Sequence, residues 1–555
     1  MRNKRVIFGF IVWTMCVIGF GYEQSIKLLL SFSILVLFPL VTELTYRQKG
    51  KRDWFLRAQP FFSIVGAGSL FIEIGPLPGI LAFIWFIFTG WIACIGIARA
   101  TTRGFVRMEE NAIDAAYVYM ALGGLWLFMS QAGIEGLPFT PVIVLLTAVH
   151  FHYSSLVVPI VVGLLGRYAF NHTIHIRWYG LLSGLLIIGP LLVGIGITIG
   201  GVADMLFVAI YVLAMFWLAF ETFRVLIGLR QHLIARVTII VASVISIAAM
   251  VLSALYSAGV SIGTTLITID QMVLYHGYTQ AFGYSFLILM GWTLIKPRPL
   301  YSFGQFRLSR LRGKWRVGDH FLEETQILNK NEVVDGLVES FFAFTRDEFS
   351  PAQIDSSIRD FYEQTNHYEM SATTRWHGIY YPLSRPYHWV TGKIGQLYLR
   401  AASKHPKSQR MEAVIYPIDE TIDGRHPVRA WIRKDYETKE EIFVAFYAYY
   451  ATKDKTYMDI ALPLPYSVMT GILRPQHDES NGLILTSFRE PGSLGDEGVY
   501  VTIGKWTIRV PIEEYFHVRA TDDPGRLTAV HELRFLGLRC LTIDYEITCK
   551  LSKQL

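Results

Sequence analysis

Residues 178–220 read WYGLLSGLLIIGPLLVGIGITIGGVADMLFVAIYVLAMFWLAF, and Asp204 is the one charged residue among them. The hydrocarbon core of a bilayer is about 30 Å thick, and an α-helix needs roughly 20 apolar residues to cross it. This stretch and the residues that follow it can therefore form two spans, near 178–200 and 203–228. The sequence predicts a pair of transmembrane helices here.

Apolar stretches of similar length recur on both sides of this pair. They lie near 6–22, 26–44, 54–74, 77–98, 112–132, 139–166, 234–259 and 271–295. Together with the quoted pair they predict an all-α, multi-pass membrane domain with about ten transmembrane helices.

Charge divides the chain into two halves. Residues 1–299 contain 19 Lys/Arg and 11 Asp/Glu, whereas residues 300–555 contain 32 and 34. We therefore predict a transmembrane domain over 1–299, a basic juxtamembrane linker over 300–330 and a cytoplasmic domain over 331–555. The net charge of +6 comes from the membrane half, so it gives no ground for a nucleic-acid partner.

The cations of the first half lie in alternate loops between the apolar stretches. Short loops rich in Lys and Arg stay on the cytoplasmic side. The loops with this composition and their flanks contain Arg2, Lys4, Arg5, Arg47, Lys49, Lys51, Arg52, Arg57, Arg99, Arg103, Arg107, Arg167, Arg177, Arg224, Arg230, Arg236, Lys296 and Arg298. This pattern predicts a plasma-membrane protein with both termini in the cytoplasm, which requires an even number of spans.

Three histidines fall within apolar stretches, where an ionisable side chain is costly and is a candidate for function. They are His150, His152 and His276, with Gln280 one turn after the last. His150 and His152 are about 200° apart on a regular helix and cannot face one point. One interpretation is a metal bound by one of them, His276 and an outer carboxylate such as Glu135, Glu73 or Asp270. The alternatives are proton or quinone exchange, a polar ligand, or hydrogen bonds between helices.

The stretches around these histidines resemble a known family. Thr147-Ala148-Val149-His150-Phe151-His152-Tyr153 and His276-Gly277-Tyr278-Thr279-Gln280-Ala281-Phe282-Gly283-Tyr284 are similar to the two marker stretches of the YndJ-like family. That family has Asn where Gln280 stands and Phe where Tyr284 stands. The resemblance covers the membrane half and implies a bacterial plasma-membrane protein. It implies no substrate and no catalytic residue, because the family has no assigned activity.

The second half has the composition of a soluble α+β domain. Arg307, Arg310, Arg312 and Lys314 form a basic segment that can lie on anionic lipid headgroups. Helices are predicted near 331–346 and 351–365, the second after Ser350 as N-cap. Alternating patterns then predict a mostly antiparallel sheet with strands at 411–417, 427–434, 441–451, 456–462, 482–488, 498–503, 506–511, 513–519, 527–536 and 539–549. Gly504-Lys505 has the character of a hairpin turn.

No sequence motif assigns a reaction. The chain has no P-loop, Rossmann fingerprint, GxSxG elbow or HExxH motif. The aromatic-rich second half favours binding or transfer of a lipid-like amphiphile, with the cytosolic domain holding or sensing the ligand. Two alternatives stay open. One is a membrane enzyme that uses the histidines with a metal, haem or quinone, and the other is a transporter or a membrane scaffold or regulator.

Overall fold

The computed structural model describes residues 4–46, 54–105, 107–136, 138–228, 232–299, 308–318, 320–329, 332–452, 454–490 and 495–550. The chain divides into two compact units. The first comprises residues 1–100 and 105–301, and the second comprises 101–104 and 302–555. Each unit is described by itself below.

The first unit is built from helices. They are α1 (Lys4–Phe20), α2 (Ser25–Thr45), α3 (Trp54–Ser69), α4 (Pro76–Arg103), α5 (Met108–Gln131), α6 (Pro141–Asn171), α7 (Tyr179–Ile199), α8 (Gly201–Leu226), α9 (Leu233–Ser261) and α10 (residues 269–295), with a 3₁₀ turn at Tyr22–Gln24. Two helices contain π-helical turns, at Ser33–Leu37 in α2 and at Met272–Gly277 and Thr279–Phe286 in α10.

Seven helices among the described residues are long and apolar enough to cross a membrane: α2, α4, α5, α6, α7, α8 and α9. The predicted count of about ten spans is therefore too high. Helices α1 and α3 have 17 and 16 residues, which extend about 24–26 Å and fall short of the core. Helix α10 consists of short α-helical and π-helical pieces rather than one regular α-helix.

The corrected count removes one support from the predicted orientation. The seven candidate spans among the described residues are an odd number, whereas termini on the same side of a membrane require an even number of spans. The alternation of cations assumes that α1, α3 and α10 also cross the membrane, so it does not support the orientation independently, and cytoplasmic termini stay a prediction. Of those cations, Arg2, Arg47, Lys49, Lys51, Arg52 and Arg230 lie outside the described residues.

The second unit is an antiparallel β-barrel. Its strands are β1 (Tyr368–Trp376), β2 (Gln409–Pro417), β3 (Val428–Asp435), β4 (Glu441–Ala451), β5 (Thr456–Leu464), β6 (Ser467–His477), β7 (Leu483–Thr486), β8 (Gly498–Ile503), β9 (Trp506–Val510), β10 (Ile512–Ala520), β11 (Arg526–Phe535) and β12 (Leu538–Cys549). The order β5-β4-β3-β2-β1-β12-β11-β10-β7-β6 closes through pairing of β5 with β6. The β8–β9 hairpin extends from β6.

Alternation along β4 shows how the barrel is covered on both faces. Phe443, Ala445 and Tyr447 belong to the core inside the ring. Val444 and Phe446 point outward and pack against a second core that residues 311–328 supply. Both faces of the strand are apolar because both are buried.

Helices in the second unit differ from their prediction. The predicted helix at 331–346 is represented by a 3₁₀ turn at Phe341–Phe344. The helix predicted at 351–365 is α12 (Ser356–Glu363), and Asp355 caps it rather than Ser350. The remaining short elements are α11 (Phe321–Glu324), α14 (Glu420–Asp423) and 3₁₀ turns at Pro351–Gln353 and Thr365–His367.

Strands β1 and β6 and helix α13 (Tyr380–Ile394) were not predicted, and neither were the short helices α11 and α14. The Gly504-Lys505 hairpin is confirmed, since Ile503 pairs with Trp506 across it.

Candidate functional site

His152 is fixed on both ring nitrogens inside the helical unit. Its Nδ1 donates to the Ala148 carbonyl at 2.8 Å, and its Nε2 accepts from the Trp85 indole N–H at 3.1 Å. The Ser33 hydroxyl, in the π turn of α2, donates to the His152 carbonyl at 2.6 Å. A methyl group on Gly123 would lie 2.8 Å from the imidazole. The ring is thus a neutral, fully buried tautomer with no lone pair left for a ligand.

His150 and His276 have a different environment. His150 is exposed at the surface of α6, and its Nδ1 donates to the Leu146 carbonyl at 2.7 Å. The Nδ1 of half-buried His276 donates to the Ala249 carbonyl of α9 at 2.9 Å. The two imidazoles lie within electrostatic range of each other, and neither Nε2 has a hydrogen-bond partner among the described residues. Both Nε2 atoms therefore carry a free lone pair.

Gln280 and Tyr284 extend this polar group along α10. The Gln280 amide nitrogen donates weakly to the Ser246 hydroxyl at 3.4 Å. Its Oε1 and the Tyr284 hydroxyl are buried without a hydrogen-bond partner in the described part of the chain. His276 lies in one π-helical stretch, and both Gln280 and Tyr284 lie in the next. Such turns are rare and frequently mark functional sites. We call His150, His276, Gln280 and Tyr284 the imidazole site.

The imidazole site offers mainly hydrogen-bond acceptors. Two imidazole Nε2 atoms and an amide oxygen accept, and a hydroxyl can do either. Such a set fits a ligand with a hydroxyl or amine donor, or a metal cation. It does not fit an anionic headgroup, which needs donors.

The predicted three-ligand metal set is not assembled. Glu73, Glu135 and Asp270 are exposed at helix ends. Within the described residues, no group of three or more His, Cys, Asp or Glu side chains is placed to hold a metal ion.

Sequence reasoning missed a cluster of buried ion pairs, the ion-pair cluster, formed by Arg99, Glu110, Asp114 and Arg167. Arg167 Nε and Nη2 each donate at 2.6 Å to one oxygen of Glu110. Arg99 bridges Glu110 at 3.2 Å and Asp114 at 2.9 Å. The side chains of Arg167 and Glu110 are each 1% exposed. The available signal was the acidic start of α5, opposite the arginine near the end of α6.

Ionisable side chains are also buried inside the barrel, and their surroundings differ from those in the ion-pair cluster. The Arg433 guanidinium carbon lies 4.3 Å from the centre of the Trp431 ring and 4.1 Å from that of Phe443. It has no carboxylate within ion-pair distance among the described residues. Burial raises the pKa of the Glu514 carboxyl to about 7. Burial, together with the Arg433 charge, lowers the pKa of His531 to about 3.

The basic linker lies partly on the barrel. Arg310 and Lys314 are exposed, whereas Arg312 is half-buried and donates to the carbonyls of Ser309 and Leu311. Arg307 lies outside the described residues. A role for these cations at a membrane surface stays a prediction.

The model of the YndJ-like protein family matches residues 28–284. An uncharacterised membrane protein, YndJ, of Bacillus subtilis (strain 168) is 34% identical over 549 residues, which cover 97% of each chain. The chain belongs to the YndJ-like family. This relationship confirms the resemblance found in the sequence and identifies a membrane protein with several candidate spans. No solved structure matches.

The segment that matches the YndJ-like model contains both polar regions of the helical unit. The imidazole site and the ion-pair cluster lie between residues 28 and 284, whereas Arg433 and Glu514 lie beyond it. The family relationship assigns no activity to either region.

Proposed function

We propose that the helical unit binds a membrane amphiphile through a hydroxyl or other hydrogen-bond donor on its polar end. One observation carries this proposal: His150 and His276 each use Nδ1 on a backbone carbonyl and leave Nε2 as an acceptor in an apolar bundle. Intramembrane polar groups of this kind mark ligand or ion sites, because hydrocarbon provides no other partner. Gln280 Oε1 adds a third acceptor nearby.

We place the ligand in the helices, whereas the sequence favoured the cytosolic domain as its holder or sensor, and that role of the barrel stays a prediction. Apolar side chains from its strands meet inside the ring. The proposal therefore does not depend on a ligand inside the barrel.

The test is lipid extraction and mass spectrometry of the full chain purified in mild detergent. We expect an amphiphile with a free hydroxyl or amine to co-purify, and its occupancy to fall at least tenfold in the His150→Phe/His276→Phe double variant. His172→Phe is the matched control, because the His172 Nδ1 also donates to the carbonyl four residues earlier, at 2.9 Å. Equal occupancy in all three proteins would refute the proposal.

A metal or haem is the second candidate, and the same two histidines favour it. Metal-ligating imidazoles usually donate their other N–H to a carbonyl or carboxylate, which orients the ring, and both His150 and His276 do so. A quinol, whose hydroxyls donate, belongs to the first proposal instead. Elemental analysis and visible absorption of the purified chain separate the two. Bound metal that disappears in His276→Phe supports the second candidate.

A further inference from the structure

A stretch of the second unit is free of acidic residues. Residues 370–411 contain no Asp or Glu but seven Lys or Arg. Three of the seven, Arg375, Arg400 and Arg410, pair with carboxylates elsewhere on the barrel. The other four are exposed and have no ion-pair partner among the described residues: Arg385, Lys393, Lys404 and Lys407.

Helix α13 lies within this stretch and is held to the barrel by one face. The Ser384 hydroxyl accepts from the Ala402 amide at 2.9 Å. The Tyr387 hydroxyl donates to the Leu397 carbonyl at 2.9 Å, and His388 Nδ1 to the Leu399 carbonyl at 2.8 Å. This inner face fixes which side chains of the helix point outward.

The outer face of α13 is apolar. Leu383 is 53% exposed, Trp389 62% and Val390 43%, with Ile379 at 66% just before the helix. At 100° per residue these positions fall within one continuous arc of the helix surface. The Lys393 ammonium lies in the same arc, 3.8 Å from the centre of the Trp389 ring.

The tip of the β11–β12 hairpin extends this apolar surface. Leu536 is 68% exposed and Leu538 is 56% exposed. The Tyr380 hydroxyl, at the start of α13, donates to the Phe535 carbonyl at 3.2 Å, which places the tip beside the helix. We call Ile379, Leu383, Trp389, Val390, Leu536 and Leu538 the outer apolar face. Contiguous exposed apolar residues of this kind mark interaction sites.

We propose that the outer apolar face docks on the surface of a bilayer that contains anionic lipid. Trp389 and the aliphatic side chains enter the interface between headgroups and acyl chains, and Arg385 and Lys393 remain at the phosphates. Charge complementarity selects this partner, because residues 370–411, which contain α13, carry seven cations and no acidic residue. A bilayer is also available to this face, because the other unit of the same chain contains the candidate spans. The proposal does not depend on a ligand at the imidazole site.

Spin-label accessibility in the full chain tests the proposal. The four cysteines are free thiols and are replaced by alanine, and one label is attached through Leu383→Cys. The protein is reconstituted in nanodiscs of phosphatidylcholine alone or with an equal part of phosphatidylglycerol. With anionic lipid, we expect the ratio of oxygen to nickel-chelate accessibility to be at least threefold higher than for a label at Glu437→Cys, which lies in the exposed β3–β4 turn.

Two further variants keep the outcome interpretable. A label at Val390→Cys replaces the first if Leu383→Cys does not fold. Arg385→Glu/Lys393→Glu should return the label to the accessibility of the control, because the cations would no longer meet phosphate. A label that stays as accessible to the nickel chelate as the control in both lipids overturns the proposal. Equal lipid contact of the label in both lipids overturns the selection of anionic lipid. A label that is shielded only when the protein self-associates shows that a second copy of the chain covers the face, and it overturns the proposal.

Discussion

The helical unit contains polar side chains in two regions, and the hydrogen bonding of these side chains differs between the two regions. In the ion-pair cluster, Arg167 and Glu110 satisfy each other through two 2.6 Å hydrogen bonds. In the imidazole site, two ring nitrogens and an amide oxygen have no partner among the described residues. The first arrangement has the features of a structural element, whose removal costs stability. The second has those of a site prepared for something outside the chain.

The largest effect should come from breaking the ion-pair cluster. Glu110→Gln leaves the buried Arg167 guanidinium without its counter-charge, and removal of one partner from a buried pair costs about 3–5 kcal/mol. We expect a large fall in the thermal denaturation temperature of the full chain in a fixed detergent.

Glu221→Gln is the matched control for this variant. Glu221 also pairs with an arginine, but the side chain of that partner, Arg224, is 40% exposed, so its loss should cost far less. Equal losses in the two variants would show that the cluster is not a structural element.

Glu514, whose side chain is buried inside the barrel, extends the comparison to the second unit. Its pKa is raised from 4.5 to about 7, so the folded state holds a proton that the unfolded state releases above pH 4.5. The contribution of Glu514 to stability is therefore fully present below pH 4.5 and is lost between pH 4.5 and 7, a loss of about 3 kcal/mol. Amide exchange of β10 and β11, corrected for intrinsic rates, should accelerate from pH 5 to pH 8.

Glu514→Gln should remove this pH dependence, because the amide does not ionise. Glu513→Gln changes the neighbouring residue on the opposite face of the same strand and should leave the dependence in place. A pH dependence that survives in Glu514→Gln would assign it to another group.

The third prediction concerns His152, whose two ring nitrogens both have hydrogen-bond partners. It tests whether His152 has a structural role like that of the ion-pair cluster. His152→Leu leaves the buried Trp85 N–H without an acceptor, which costs about 1–3 kcal/mol. Thermal denaturation should show the loss, whereas His172→Leu at an exposed helix end should not. Gly123→Ala should also destabilise the native chain, because its Cβ would lie 2.8 Å from the imidazole. If Gly123→Ala destabilises the chain equally in a His152→Ala background, the added methyl group does not clash with the imidazole.

These contrasts show how far sequence reasoning reaches. Hydropathy located the helices, and the cost of an ionisable group in hydrocarbon identified His150, His152 and His276. The sequence could not show which of the three histidines has both ring nitrogens hydrogen-bonded, because the Nε2 partner of His152 is Trp85, 67 residues away. The Arg167–Glu110 pair, 57 residues apart, was missed for the same reason.

In the barrel, local breakers concealed regular elements. Pro386 inside α13 argues against a helix, and Pro475 and Gly471 argue against strand β6. Tertiary pairing overrides these local preferences, since β6 is held by β5, β7 and β8.

The smallest effect on stability is the sharpest test of the comparison. His150→Leu and His276→Leu remove a side chain whose Nε2 has no partner in the described structure, and the only bond lost is from Nδ1 to a carbonyl. We expect each to change stability by no more than about 0.5 kcal/mol, as for surface substitutions, measured by thermal denaturation after the amphiphile has been extracted. Before extraction, the native chain should be more stable than either histidine variant, because a ligand that binds only the folded state raises the stability of the chain that binds it. A loss after extraction as large as that of His152→Leu would place the two histidines among the structural groups, and the acceptors of the imidazole site would no longer indicate a ligand.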